Sequence, residues 1–305
     1  CNLLMSNNYI HKLGLGTVQF GLDYGVSNFS GQTSIESVED ILKCALQNNI
    51  KTIDTANTYG TSEEAIGLFN NDSLAYNIVT KTIPINKEII DLDDLKIVRD
   101  GVTQSLKKLR QNQLYGLLLH HADDLKAKNG KLLYQILREY KADGVFSKIG
   151  VSVYSSEQID FVLDNFEIDL IQIPMSVFDQ RLLHSGSLKR LKKAGVEIHV
   201  RSAFLQGLVF MNAQKIPNNL QRYSSHLSKF HGIVKELGVS PASASLAFLM
   251  QQPAIDKVIC GVNSLVQFQE LINTVSALPN IEKGVFDAIG LDDVSFINPS
   301  NWNAL

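Results

Sequence analysis

Cysteine is scarce in this chain of 305 residues: Cys1, Cys44 and Cys260 stand far apart, and none lies in a CxxC or CxxH spacing. That argues against a disulfide framework or a structural zinc site, and it leads us to expect a reducing, cytoplasmic compartment. No apolar run reaches the about 18 residues a membrane span requires, so none is expected. No secretory signal of the usual three-part form is expected either; Met5 is a candidate start, with Cys1 to Leu4 upstream of it. Neither sign of charge dominates, because 28 basic and 31 acidic residues leave a net charge of −3. A nucleic acid or an anionic membrane surface is therefore not an expected partner. The basic cluster Lys107, Lys108 and Arg110 is assigned to a helix C-terminus, where cations suit the macrodipole. Repeats, low-complexity tracts and linker-like stretches are missing too, so residues 1–305 read as a single domain.

What is present is an ordinary globular composition, 45% hydrophobic and 19% charged. Short β-branched runs alternate with longer amphipathic segments. Strands are expected at His11–Thr17, Lys51–Thr55, Ala75–Lys81, Leu114–Leu119, Phe146–Val151, Ile168–Ile173, Val196–Val200 and Lys257–Cys260. Helical stripes follow at Ser34–Gln47, Leu92–Lys108 and Asn129–Lys141, and Ser240-Pro241 opens another through Leu249. Cys44 falls on the apolar face of the first of these helices, and Cys260 at a strand end. Gly144, Gly195 and Gly238 sit where helices should stop in a left-handed cap. Eight successive βα units close most simply into a (β/α)8 TIM barrel, an α/β fold. The rival is a doubly wound sheet. It fits less well, because Gly14-x-Gly16 lacks the third glycine of a dinucleotide fingerprint and no helix is expected directly after it.

In such a barrel chemistry gathers at the C-terminal ends of the strands. Those ends carry Asp54 with Tyr59 just beyond, Lys81, His120-His121, Ser152, Gln172, Arg201-Ser202 and Gly261. An Asp and a Lys entering one mouth should pair, and the ammonium should then lower the pKa of a neighbouring phenol. A tyrosine so tuned can protonate a carbonyl oxygen, with a histidine bonded to the same oxygen. Taken singly, each residue also has a structural role: Asp54 as a turn cap, Lys81 as a solvated loop end, Tyr59 as a rim aromatic, His120 as a core histidine. Their conjunction at successive strand ends is what points to a site. No metal is expected, because His120 and His121 diverge from one strand without an acidic partner set.

These segments resemble the aldo-keto reductase family from Leu13 to about Ile272. Lys12-Leu13-Gly14-Leu15-Gly16-Thr17 is similar to the family's first strand, and Asp54-Thr55-Ala56-Asn57-Thr58-Tyr59-Gly60 to its Asp-Thr-Ala-x-x-Tyr-Gly segment. Val79-Thr80-Lys81 and Leu117-Leu118-Leu119-His120 resemble the segments that bear its Lys and His. The resemblance implies a catalytic tetrad of Asp54, Tyr59, Lys81 and His120, with Tyr59 as proton donor. It also implies cofactor contacts from Gly16, Thr17, Val18, Ser152, Gln172, Arg201, Ser202, Leu205, Gln206, Gly207, Gly261, Asn263, Gln267 and Glu270. Val153 stands where an Asn often helps, Arg201 replaces a stacking aromatic, the basic residue near Gln267 is missing, and Leu271 replaces a frequent Asn. NADP(H) is the family expectation, with NAD(H) as the alternative.

The substrate pocket is expected to draw on Gln19, Phe20, Tyr24, His121 and Tyr154, with Phe178 or Trp302 as further walls. The long Gly-containing loop Phe20–Gly31 is expected either to shape that pocket or merely to cover the rim. The reading is reduction of an aldehyde or ketone, sugar-like or aromatic, by a nicotinamide cofactor. Alternatives are a nucleotide-binding sensor or partner subunit without efficient turnover, and Schiff-base chemistry at Lys81.

Overall fold

The computed structural model describes residues 9–28, 30–69 and 76–304. Cys1 to Met5 and Ala75 lie outside the described residues. Eight parallel strands, β1 (Leu13–Gly16), β2 (Thr52–Asp54), β3 (Asn77–Lys81), β4 (Leu114–Leu119), β5 (Phe146–Ser152), β6 (Leu170–Pro174), β7 (Glu197–Arg201) and β8 (Lys257–Gly261), close into a barrel in chain order. β1 starts later than expected because Ile10–Lys12 form a 3-10 turn. The Lys12 ammonium there donates to the carbonyls of Met250 and Gln252, both at 2.9 Å.

Helices wrap the barrel between the strands. They are α1 (Val18–Gly21), α2 (Ile35–Gln47), α3 (Ser62–Phe69), α4 (Leu92–Leu109), α5 (Lys131–Ala142), α6 (Ser156–Asn165), α7 (Arg181–His184), α8 (Ser187–Lys193), α9 (Ser224–Leu237), α10 (Pro241–Met250), α11 (Leu265–Ser276) and α12 (Val294–Ile297). Their ends follow capping chemistry. The hydroxyls of Ser34, Ser240 and Ser264 each accept a backbone N–H three residues on, and Asp91 forms a capping box with Asp94. Gly144, Gly195 and Gly238 are left-handed as expected, and Lys107, Lys108 and Arg110 do close a helix, α4. α5 begins at Lys131 rather than Asn129, because Asn129 is itself left-handed and its amide binds the Ile90 carbonyl. Among the described residues no single helix is long and apolar enough to cross a membrane.

Side chains alternate along a strand, so the pairing register assigns each residue to the inside or the outside of the wall. Gly16 pairs with Asp54, Asp54 with Val79, Lys81 with Leu118, Ser152 with Gln172, and Pro174 with Arg201. The inside is layered. At the floor the Glu197 carboxylate accepts the Tyr115 hydroxyl at 2.6 Å, pairs with Lys148, and lies 2.7 Å from His199 Nε2. Above it Val79, Leu118 and Leu170 form a small dry plug. The top layer carries Asp54, Lys81, Ser152 and Gln172, all buried. The outward residues of the same strands pack under the helices in the main core. A second apolar cluster gathers Phe178, Phe230, Phe286, Phe296 and Trp302 beside α9 and α10.

α1 and the turn after β2 meet at two glycines. A Cβ at Gly21 would lie 1.8 Å from the Tyr59 carbonyl oxygen, and one at Gly60, which has φ +55°, would lie 2.3 Å from the Gly21 oxygen. Only bare backbone lets the two segments touch, and this contact holds the turn that carries Tyr59. Gly21→Ala is therefore expected to destabilise the fold by about 1–3 kcal/mol through overpacking, read as a lower Tm. A melting curve superimposable on the wild type's would show that the turn retreats freely.

Candidate active site

The top layer converges on one buried ammonium. Lys81 Nζ, on a side chain only 1% exposed, donates to both Asp54 carboxylate oxygens at 2.9 and 2.8 Å and to the Thr55 carbonyl at 2.9 Å. It also lies 3.3 Å from the Tyr59 hydroxyl oxygen. Asp54 Oδ1 accepts a further bond from Gln172 Nε2 at 2.7 Å. Burial alone would push the Lys81 pKa down, but Asp54 beside it, with Tyr59, carries it above the usual lysine value. The Tyr59 phenol departs from the expected direction. Burial raises its pKa above the ordinary value, and Lys81 recovers only part of the shift because Asp54 opposes it. Tyr59 therefore stays protonated through neutral pH.

His120 lies edge-on to Tyr59, ring centroids 6.2 Å apart, with Nδ1 3.4 Å from the Thr58 hydroxyl. Burial first, then the positive charge of Lys81, lowers its pKa to about 3, so the imidazole is neutral at physiological pH. The four residues expected to act together do meet, although Lys81 stands behind the cavity wall rather than on it.

From this point a cavity of about 1060 Å³ runs across the C-terminal face toward α11. Gly16, Thr17, Val18 and Gln19 line it from β1 and α1, and Ser152, Tyr154, Gln172, Arg201 and Ser202 from the opposite wall. Gly261, Asn263, Gln267 and Glu270 line the far part, where Ser264 caps α11. The loop after β7 is wound left-handed at Ser202, Leu205, Gln206 and Gly207, a conformation non-glycine residues adopt only under constraint. Gly207 is obligatory, since a Cβ there would lie 1.7 Å from the Ser27 hydroxyl.

That contact belongs to a strap. The first loop crosses the cavity: Tyr24 Oη accepts from Gln206 Nε2 at 3.0 Å, and the Gly31 carbonyl accepts from Asn263 Nδ2 at 3.1 Å and Asn28 Nδ2 at 2.9 Å. The loop thus ties the segments after β7 and β8 together and shapes the pocket, the first of its two expected roles, lining it with Gly25, Ser27, Asn28 and Ser30 as well as Tyr24. Ser240, Ala242, Asn273 and Thr274 at the far end were not expected. They come from helices, whose reach into the cavity no strand-end pattern reports.

Four expected site residues do not line the cavity. Phe20 is fully buried in the main core, because the helical turn of α1 sends it inward while Gln19 faces the site. Leu205 is fully buried in the second cluster. His121 turns away, its Nδ1 2.6 Å from Asn86 Oδ1. Lys81, as described, is the fourth. The further walls fail as well: Phe178 and Trp302 belong to the second cluster, and the Trp302 indole N–H donates to the Phe296 carbonyl. Arg201 lies on a ring, as a guanidinium can, but the ring is Tyr154, 4.2 Å away. Cys260 is buried in the wall, which pushes its thiol up to about 12.

The aldo/keto reductase family model matches residues 12–289. The oxidoreductase YrpG of Bacillus subtilis, described as uncharacterized, is 22% identical over 87% of this chain and 87% of its own length. D-arabinose 1-dehydrogenase of Saccharomyces cerevisiae is 28% identical over 52% of this chain and 54% of its own. Among solved structures, the holo form of an aldo-keto reductase from Bacillus halodurans superposes with a TM-score of 0.73 at 18% identity, covering 91% of each chain. A putative aldo-keto reductase from Pseudomonas aeruginosa does so at 0.66 and 21% identity, over 90% of this chain and 98% of its own. The family match runs through every strand of the barrel and both ends of the cavity, and on it the chain belongs to the aldo/keto reductase family of oxidoreductases.

Proposed function

We propose that this chain, acting as one barrel domain, reduces an aldehyde or ketone to an alcohol with a nicotinamide dinucleotide, and that Tyr59 delivers the proton. The observation that carries the reading is the buried Lys81 ammonium shared between the Asp54 carboxylate and the Tyr59 hydroxyl. A buried ion pair contributes little to stability compared with apolar packing, so one placed against a phenol at a barrel mouth suits chemistry better than architecture.

The cavity suits the cofactor. Gln19 Oε1 is buried without a hydrogen-bond partner, and the neighbouring Gly261 leaves room that a Cβ, only 2.4 Å from that oxygen, would fill. Ser152 and Gln172 would hold the carboxamide, Gln172 through its amide oxygen and the N–H it does not give to Asp54. The loop from Ser202 to Gly207 and the start of α11 would hold the phosphates. When bound, the nicotinamide supplies the hydride that reaches the carbonyl carbon. The Tyr59 hydroxyl donates its proton to the carbonyl oxygen, and Lys81 stabilises the phenolate left behind. Neutral His120 offers a hydrogen bond to the same oxygen and fixes its position. Asp54 keeps Lys81 charged and in place. Polar groups around the mouth, Tyr24, Ser202 and Tyr154 among them, favour a small hydroxylated carbonyl, and one relative is named for a sugar.

Tyr59→Phe is expected to abolish reduction while leaving dinucleotide affinity within a few-fold, measured by fluorescence titration; near-normal turnover would overturn the mechanism. Because His120 is already neutral and Tyr59 still protonated, kcat/KM for reduction should stay flat from about pH 5 to pH 9. A limb near pH 6.5 that vanishes in His120→Asn would assign a titrating role to the imidazole instead. The far end presents Glu270 and, among the described lining residues, no cation to a 2′-phosphate. NADPH is thus expected to bind no more than about tenfold tighter than NADH, lacking a charge-assisted partner. A hundredfold or so preference in side-by-side titrations would require a cation from elsewhere in the chain.

A further inference from the structure

Resting on the reading above, we propose that the carbonyl substrate carries an anionic group, a carboxylate or a phosphate, and that Arg201 binds it. Arg201 is the one cation among the described residues that line the cavity, and it lines that cavity together with Tyr59, His120 and Gln172. The guanidinium has five N–H donors. Two contacts are accounted for: Nη2 donates to the Val153 carbonyl at 3.0 Å, and Nη1 lies at the limiting distance of 3.5 Å from the Ser202 hydroxyl. Both partners are neutral, and no carboxylate of a described residue lies within ion-pairing distance of it. The other acids of the lining do not supply one, since Asp54 is committed to Lys81 and Gln172, and Glu270 belongs to the far wall on α11.

A half-buried guanidinium without a counter-ion bears a desolvation cost that an incoming anion would offset. Its plane is already set. The Tyr154 ring lies 4.2 Å beneath it and the Val153 carbonyl holds one edge, so a fork of donors faces the cavity with little rotamer freedom left to lose. Its charge reaches the phenols of Tyr59 and Tyr24 and the His120 imidazole across the shared cavity.

The dinucleotide phosphates are the competing anion for this cation, and the experiment separates the two. Reduction of 4-oxobutanoate and of its methyl ester is compared in wild type, R201K and R201M, alongside NADH and NADPH titrations of each protein. Wild type is expected to favour the acid by at least about tenfold in kcat/KM, R201M to lose that preference, and R201K to keep part of it. Succinate, an unreactive carboxylate of the same length, should bind wild type measurably by calorimetry and R201M about tenfold more weakly or not at all. Equal use of acid and ester by wild type, or succinate binding indifferent to R201M, would overturn the proposal. So would an R201M defect equal for both aldehydes and matched by lost dinucleotide affinity, which assigns the cation to the cofactor. Reduction of neither aldehyde would count against carbonyl reduction, and the succinate titration still decides the anion site.

Discussion

The site hangs on the ion pair between Lys81 and Asp54. Both side chains are drawn almost wholly out of water, a step that costs several kcal/mol per ion before any attraction is counted. What offsets it is saturation: the carboxylate accepts from Lys81 through both oxygens and from Gln172, and the ammonium finds the Thr55 carbonyl as well. Removing one partner would strand the other's charge, with a penalty of about 3–5 kcal/mol. Burial of the same layer sets the protonation of the pair's neighbours, with the pair as a secondary influence. Burial keeps the proton on Tyr59 against the pull of Lys81, and burial with Lys81 leaves His120 neutral, so a protonated phenol and a neutral imidazole stand side by side.

Much of this was legible from strand ends alone. Asp54, Lys81, His120, Ser152 and Arg201 lie at or just past the C-terminal ends of their strands, while Gln172 sits mid-strand in β6, and the alternation of a barrel strand decides which face they take. Tyr59 was legible only through its motif, because it reaches the site from a turn whose position depends on Gly21. The errors share a cause. Phe20, Leu205 and His121 each adjoin a residue that does line the cavity, and a change of local period or a left-handed step sends them elsewhere. Facing is decided by backbone dihedrals, and one left-handed step such as Leu205 at φ +45° reverses it.

The direction of the Tyr59 shift was misjudged for a different reason. An adjacent ammonium does favour a phenolate, but the burial that creates the ion pair also encloses the phenol, and Asp54 opposes the ammonium. Residue types reveal charge partners, whereas desolvation is a property of the assembled surroundings. Of the two roles expected for the first loop the cavity shows the first, but its ties from Gln206 to Tyr24 and from Asn263 to Gly31 join residues about two hundred positions apart and lie beyond any local pattern.

The glycines of the barrel wall carry a consequence for how such a protein can diversify. A Cβ at Gly14 would meet Ile259 at 2.5 Å, and one at Gly150 would sit 1.6 Å from the Leu170 carbonyl oxygen. Such positions have no spare volume, and a substitution there has to displace backbone or a packed side chain from a neighbouring strand. In the loops after the strands the restriction is confined to single points such as Gly60 and Gly207, and the residues between them face the open cavity or the surface. Changes of cavity shape are therefore more accessible through the loop segments between those points than through the staves, which leaves the buried layer of Asp54 and Lys81 untouched.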